Sequence, residues 1–178
     1  MMRNFILKNG KILEVTGPKG SDAEDVLTYL KIVGGESDNI TFGNEGVPFT
    51  IEEEKAFLER FSENTLYPMF VGRINGEIVS LANMSGIDRP RLRHNSEIGL
   101  TVIKKYWNQG VGKAMMQMMI EHAKSSKVIE NIYLKVRNNN ESAIHLYESF
   151  GFKTVGKYPR QMKIWNEYYD TLLMALLL

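Results

Sequence analysis

The middle of the chain reads Glu97-Ile98-Gly99-Leu100-Thr101-Val102-Ile103 and, after Lys104 and Lys105, Tyr106-Trp107-Asn108-Gln109-Gly110-Val111-Gly112-Lys113. The first stretch is rich in β-branched residues and alternates as a strand does, while an apolar helical pattern begins at Val111. The loop between them contains a pair of glycines. We therefore predict a strand, a glycine loop and the N-terminus of a helix.

A loop of this kind is a candidate phosphate cradle. The first N–H groups of a helix lack partners, the helix dipole is positive at that end, and glycines let an anion approach the backbone. Two well-known phosphate loops fit poorly, because Ala114 stands where the P-loop has Ser or Thr and Met115 stands where the dinucleotide fingerprint has a small residue. The glycines alone leave open a tight turn that binds nothing.

A second stretch, Val136-Arg137-Asn138-Asn139-Asn140-Glu141-Ser142-Ala143-Ile144-His145-Leu146-Tyr147-Glu148-Ser149-Phe150-Gly151-Phe152, predicts a strand, a polar turn, a short helix and a glycine stop. Together the two stretches resemble the GNAT superfamily of acyl-CoA-dependent N-acetyltransferases. Gly110 and Gly112 match the glycines of its pyrophosphate-binding motif. The later run resembles its Asn-x-x-Ala signature, with Asn140, Ala143, Leu146, Tyr147, Glu148, Gly151 and Phe152 at the matching positions.

The resemblance implies an enzyme that transfers an acetyl group from acetyl-CoA, its cosubstrate, to an amine. It implies that the N–H of Val102 meets the thioester oxygen, provided that the strand splays from its parallel neighbour. The residues expected to bind acetyl-CoA are Thr101, Val102, Gln109, Gly110, Val111, Gly112, Lys113, Asn140 and Tyr147. The family usually has Arg or Gln where this chain has Trp107, so the loop lacks that polar side chain and keeps its backbone N–H groups.

Two residues are candidates for the proton transfers of acyl transfer. Tyr147 shares a helix face with Ala143 and Phe150, and its phenol is either the acid that protonates the leaving thiolate or an ordinary core hydroxyl. Glu97 shares a strand face with Gly99 and Thr101, and it is either the base for the amine or a structural carboxylate. The rival bases are His94, His122 and His145, and no metal-binding triad is visible.

Composition narrows the class of protein. The chain has 178 residues, 43% hydrophobic and 24% charged, with a net charge of +1, which predicts one soluble domain over residues 1–178 and argues against nucleic acid or membrane as a partner. With no signal-peptide pattern and no long apolar run, we expect a cytoplasmic protein. The absence of cysteine removes a thiol that could carry an acyl group, so direct transfer is expected.

The order of elements predicts an α/β (α+β) fold: a mixed, mostly antiparallel sheet with a local parallel pair and helices on both faces. Hairpins turn at Asn9-Gly10 and Asn75-Gly76. A helix is expected over 22–33, capped by Ser21 and ending at Gly34-Gly35. Two more are expected over 51–62, behind a capping box of Thr50 and Glu53, and over 110–124. The run Glu52-Glu53-Glu54 is interpreted as a solvated first turn. Later strands are expected over 94–103, 131–137, 152–155 and 167–177.

The sequence does not name the acceptor. The favoured prediction is an acetyltransferase whose acceptor is a primary amine of a small molecule. One alternative is an enzyme that acetylates a protein N-terminus, as in the ribosomal-protein branch of the family. The other is a non-catalytic acyl-CoA-binding module. Acceptor choice is assigned to the irregular segments 34–50 and 158–166, which contain Tyr158, Arg160 and Trp165. The oligomeric state, a homodimer included, stays open.

Overall fold

A computed structural model describes residues 2–178, in which eight strands form one sheet in the order β1-β2-β3-β4-β5-β6-β8-β7. The strands are β1 Met2–Ile6, β2 Ile12–Thr16, β3 Met69–Ile74, β4 Glu77–Ser85, β5 Asn95–Val102, β6 Asn131–Arg137, β7 Lys153–Ile164 and β8 Glu167–Leu177. Neighbouring strands are antiparallel except for β5 and β6. The predicted mixed sheet with one parallel pair is confirmed.

Four α-helices cover the two faces: α1 Ala23–Glu36, α2 Ile51–Glu63, α3 Val111–Ser126 and α4 Glu141–Ser149. Val71 of β3 packs with α1 and α2, whereas its neighbour Phe70 packs with α3. Because successive side chains of a strand point to opposite faces, the two helix pairs lie on opposite sides of the sheet. None of these helices is long and apolar enough to cross a bilayer.

Local sequence features explain a hairpin turn, a helix start and a buried helix face. Asn75 and Gly76 both have positive φ, 54° and 83°, as a two-residue hairpin turn of type I′ requires. Thr50 and Glu53 form the predicted capping box at the start of α2. The methionines of α3 are buried, as its apolar pattern predicts.

The end predicted for α1 is wrong, because the helix continues through Gly34 and Gly35 to Glu36. A Cβ atom at Gly34 would lie only 1.9 Å from the carbonyl oxygen of Gly43. The glycine therefore permits close approach of the loop over residues 37–50 to the helix, and it does not stop the helix. Nor does the predicted Ser21 cap α1: it lies in a 3₁₀ turn, and the N-cap is Asp22.

The segment 158–166 is not the irregular loop that the sequence predicts. Its first part belongs to β7, which pairs with β8 from Lys153 to Ile164 across two irregularities in register. β7 is an edge strand and is largely exposed, so it carries no apolar alternation from which a strand could be read.

Candidate active site

The parallel pair of strands opens into a gap. β5 and β6 pair only from Asn95 to Glu97, opposite Asn131 to Tyr133, although both strands continue for several residues. Beyond Glu97, the edge of β5 that faces β6 therefore has no strand partner. This is the splay on which the predicted role of Val102 depends.

The backbone groups that face the gap follow from the hydrogen bonds on the other edge of β5. The N–H of Ile103 donates to Val79 (3.0 Å), and the carbonyl of Thr101 accepts from the Ser80 hydroxyl (2.7 Å). Because alternate residues of a strand direct their N–H groups to opposite edges, the N–H groups of Leu100 and Val102 point into the gap. Sequence reasoning missed Leu100; only the register reveals that it shares this edge with Val102.

The glycine loop is tied to the end of β5. The indole Nε1–H of Trp107 donates to the carbonyl oxygen of Val102 at 2.7 Å. Gln109 donates through Nε2 to the carbonyl of Lys105 (2.6 Å) and accepts from the Asn9 side chain, and its own carbonyl accepts from the N–H of Lys8 (3.2 Å). The Gln109 side chain is therefore occupied within the loop and with the first hairpin.

The loop leads into α3 with its N–H groups free. Gly110 has φ +100°, a conformation that L side chains rarely adopt, and its carbonyl accepts from Ala114 (3.0 Å). Within the described chain, the N–H groups of Val111, Gly112 and Lys113 have no backbone partner. Val111 is buried, while Lys113 is exposed on the same turn. This end of α3 combines free donors, a positive dipole and an ammonium group.

A cleft of about 990 Å³ runs from this helix end through the gap to the face covered by α1 and α2. Most of the predicted site residues line it: Glu97, Thr101, Val102, Gly110, Gly112, Lys113, Asn140 and Tyr147. Gln109 and Val111 are not among the lining residues. The loop over residues 37–50 and Gln161, Met162 and Thr171 of the last hairpin close the cleft on the α1–α2 face.

Tyr147 is buried against Phe152, with ring centroids 6.0 Å apart, and its hydroxyl makes none of the hydrogen bonds found within residues 2–178. Burial raises the pKa of the phenol to about 12. Asn140 is the N-cap of α4 and accepts from the N–H of Ala143 at 3.3 Å. Asn140 therefore starts the helix that positions Tyr147.

Glu97 is ion-paired. Its Oε1 lies 3.0 Å from Nζ of Lys135, and this contact raises the pKa of the lysine. The other carboxylate oxygen of Glu97 has no partner in the described chain. Among the histidines only His145 lines the cleft. His122 contacts Leu66 and Phe70, His94 contacts Asn95, and neither histidine lines the cleft formed within residues 2–178.

Three further polar groups of the cleft were not found from the sequence. Glu54 is 2% exposed, so the prediction of a solvated first turn is wrong for this residue, and burial raises the pKa of its carboxyl. Asn39 Oδ1 and Thr171 Oγ1 are buried and have no hydrogen-bond partner among residues 2–178. Glu54 precedes Phe57 by three residues and Leu58 by four, so the three share a helix face. This spacing is the signal in the sequence that Glu54 faces the sheet.

Comparison with known proteins adds an independent line of evidence. The model of the Acetyltransferase (GNAT) family matches residues 37–152. The L-amino acid N-acetyltransferase AaaT of Escherichia coli is 30% identical over 117 residues, which cover 66% of this chain and 72% of that protein. An N-alpha-acetyltransferase of Sulfurisphaera tokodaii is 25% identical and covers 94% of this chain and 95% of its own.

The fold is also that of solved structures. A GNAT-family acetyltransferase from Streptococcus pneumoniae superposes with a TM-score of 0.90 at 28% identity, covering 93% of this chain and 99% of that one. The names of the two sequence relatives differ in the acceptor that they give, an L-amino acid in one and an N-alpha position in the other. The comparisons therefore agree on the family and differ on the acceptor.

Proposed function

Because the chain belongs to the Acetyltransferase (GNAT) family, we propose that this N-acetyltransferase transfers the acetyl group of acetyl-CoA directly to a primary amine of a small molecule. The observation that carries the proposal is the unpaired edge of β5, which directs backbone N–H groups into a cleft lined by Tyr147 and Glu97. The family membership gives the reaction, and the roles of individual residues in it are our assignment.

The residues of the cleft fit an acyl-CoA. The free N–H groups of Val111, Gly112 and Lys113 and the Lys113 ammonium suit a pyrophosphate. The unpaired edge of β5 suits the amide groups of a pantetheine arm, which hydrogen-bond as a neighbouring strand would. When bound, acetyl-CoA supplies an activated thioester carbonyl.

Attack by the amine nitrogen on the thioester carbon makes an oxyanion, and loss of the thiolate then completes the amide. We assign the stabilisation of the oxyanion to the N–H of Val102, with that of Leu100 on the same edge. Tyr147 donates its phenol proton to the departing thiolate. Burial raises the pKa of the phenol, and it would also raise that of a thiolate released beside it, so the two acidities shift together.

Glu97 is our candidate for removing the amine proton. Lys135 occupies Oε1, so the other oxygen is the one available to an ammonium or to an intervening water. A primary amine near pKa 10 is almost wholly protonated at neutral pH, so a proton must leave before attack. A carboxylate beside the gap holds the ammonium and passes its proton towards solvent.

The enclosure of the acceptor side favours a small molecule over a folded protein. The loop over residues 37–50 and the β7–β8 hairpin both line the cleft on the α1–α2 face, and Phe42, Phe49 and Phe57 lie along its wall. A pocket of this kind surrounds a ligand and fixes it through a few polar groups.

Thiol release from acetyl-CoA, measured against polyamines, aminoglycosides, amino acids and peptides, tests this proposal. We expect release that depends on a small amine, an acetylated product by mass spectrometry, and no acetylated protein when the amine is omitted. Turnover with peptides alone would support the N-terminal alternative. Tight binding of acetyl-CoA without turnover of any amine would support the non-catalytic alternative.

A further inference from the structure

Glu54 is a buried carboxylate without a partner. It lies near the start of α2, one turn before Leu58, and only 2% of the residue is exposed. Its side chain takes part in none of the hydrogen bonds or ion pairs formed within residues 2–178, yet it lines the cleft. A carboxylate that is largely shielded from water without a compensating charge or donor is unfavourable, and burial accordingly raises the pKa of the Glu54 carboxyl.

Among residues 2–178, no cationic side chain of the cleft pairs with Glu54. The lysine and arginine residues that line the cleft are Lys8, Lys113, Lys135 and Arg137. Lys135 pairs with Glu97, and Arg137 donates to Asn139 and to the carbonyl of Asp38. Glu54 and Glu97 are the two acidic side chains that line the described cleft, and Glu54 is the one without a cation. A positively charged ligand would supply the missing partner.

The surroundings of Glu54 suit a hydrocarbon stem. Phe57 lies one turn along the same helix face, and its ring packs against Phe49 at 5.9 Å between centroids. Leu30 and Met69 continue this apolar wall of the cleft. An ammonium group on an aliphatic chain can therefore reach the carboxylate while its methylene groups stay in contact with apolar side chains.

Glu54 and Tyr147 border the cleft from opposite faces of the sheet. Leu58, one turn after Glu54, packs with Val71 on the α1–α2 face, whereas Tyr147 packs in the core of the opposite face. A group bound at Glu54 on one face is therefore distinct from the nitrogen that attacks the thioester beside Tyr147. A ligand that contacts both residues must carry two separated groups.

We propose that Glu54 binds a second ammonium group of the acceptor, and that the acceptor class is the aliphatic diamines and polyamines. This inference rests on the proposed acetyl transfer for the chemistry at the first nitrogen. It also predicts discrimination against amines that carry a carboxylate at the far end, because a second anion would meet Glu54 in a poorly solvated site.

Binding and turnover test the subsite separately. Calorimetry in the presence of CoA compares diaminobutane, diaminohexane and diaminooctane with the monoamines of the same length, for the wild type, Glu54→Gln and the control Glu52→Gln. Glu52 is exposed on the same helix, so its substitution removes the same charge without touching the cleft. We expect at least one diamine to bind the wild type and the control about tenfold more tightly than its monoamine, and Glu54→Gln to lose that preference.

Turnover of the same amines, with aminohexanoate added, gives the second readout. We expect the KM of the preferred diamine to rise about tenfold in Glu54→Gln, and the ratio of kcat/KM for the diamine to kcat/KM for its monoamine to fall by about the same factor. Equal binding of diamines and monoamines by the wild type, or an equal loss for every amine in Glu54→Gln, would overturn the subsite. Absence of turnover with intact diamine preference in calorimetry would instead refute the proposed acetyl transfer and leave the subsite standing.

Discussion

The indole of Trp107 donates a 2.7 Å hydrogen bond to the carbonyl oxygen of Val102. This bond ties the glycine loop to the last residue of β5, so that the free helix N–H groups and the unpaired strand edge keep a fixed relation. Trp107 stands where the family pattern has Arg or Gln, and it acts here on the backbone of the site. An uncharged side chain thus holds the loop to the strand at this position.

The substitution Trp107→Phe should keep an aromatic side chain at this position and remove the hydrogen bond from the indole to Val102. A hydrogen bond contributes about 0.5–1.5 kcal/mol net, so we expect the Kd of acetyl-CoA to rise roughly two- to twelvefold. Calorimetric titration with acetyl-CoA measures this Kd. Trp165→Phe is the matched control, because Trp165 is 89% exposed and makes no hydrogen bond in the described chain. Equal affinities in both variants would mean that the tether does not organise the site.

Gly110→Ala should destabilise the protein and weaken acetyl-CoA binding. A Cβ atom at φ +100° is strained, by about 1–2 kcal/mol for a left-handed residue. Gly112→Ala should be milder, since its Cβ would lie 3.2 Å from a methyl group of Leu146, a side-chain end that can shift. Chemical denaturation compares the unfolding free energies, with Gly17→Ala as the control because nothing lies within 4 Å there. A larger loss of unfolding free energy in Gly112→Ala than in Gly110→Ala would contradict this prediction.

Tyr147→Phe should lower kcat about 10²- to 10⁴-fold, the span typical for removing a positioned proton donor. The affinity for acetyl-CoA should change little, because the ring remains and the hydroxyl has no partner within the described residues. Steady-state kinetics and calorimetry separate the two effects. A near-normal kcat would make Tyr147 an ordinary core residue.

The same hydroxyl should affect stability at alkaline pH. The pKa of Tyr147 is raised by burial to about 12, so the unfolded phenol, near pKa 10, loses its proton first. The stabilisation is therefore complete below about pH 10 and is lost as the pH rises towards 12, by up to about 1.4 kcal/mol per pH unit. Unfolding free energies measured at several alkaline pH values should fall less steeply for Tyr147→Phe than for the wild type. Parallel curves would contradict the raised pKa.

Glu97→Gln should lose rate most at low pH and recover part of it as the pH rises, because the fraction of neutral amine then increases. Lys135→Met removes the ion-pair partner and keeps the carboxylate, so it should retain the wild-type shape of the pH–rate profile. Profiles of kcat/KM for the three proteins provide the measurement. An unchanged profile in Glu97→Gln would assign the proton transfer to solvent or to another group, of which His145 lines the cleft.

Features that depend on a few adjacent residues could be predicted from the sequence. The Asn75-Gly76 turn and the Thr50–Glu53 capping box require only local backbone geometry, and both are present. The bounds of β6 follow from its alternation. The glycine loop and the Tyr147 helix were located in the same way.

The errors concern residues whose environment is made by distant segments. Gly34 looked like a helix stop because the close approach of Gly43 cannot be read from the residues beside it. Edge strand β7 had no buried face that would set an alternating pattern. The charge of Glu54 predicts a solvated side chain, whereas its helical position next to Leu58 places it at the sheet, where it is 2% exposed.

The order of the elements, the glycine loop at the start of α3 and the helix that carries Tyr147 follow from local propensity and spacing, so the amino-acid sequence alone predicts them. The point where β5 and β6 separate, the N–H groups that face the gap and the position of Glu54 in the same cleft are known only from the folded chain. These properties depend on contacts between segments that are far apart in the chain. Strand register sets the free edge of β5, and the packing of α2 on the sheet leaves only 2% of Glu54 exposed.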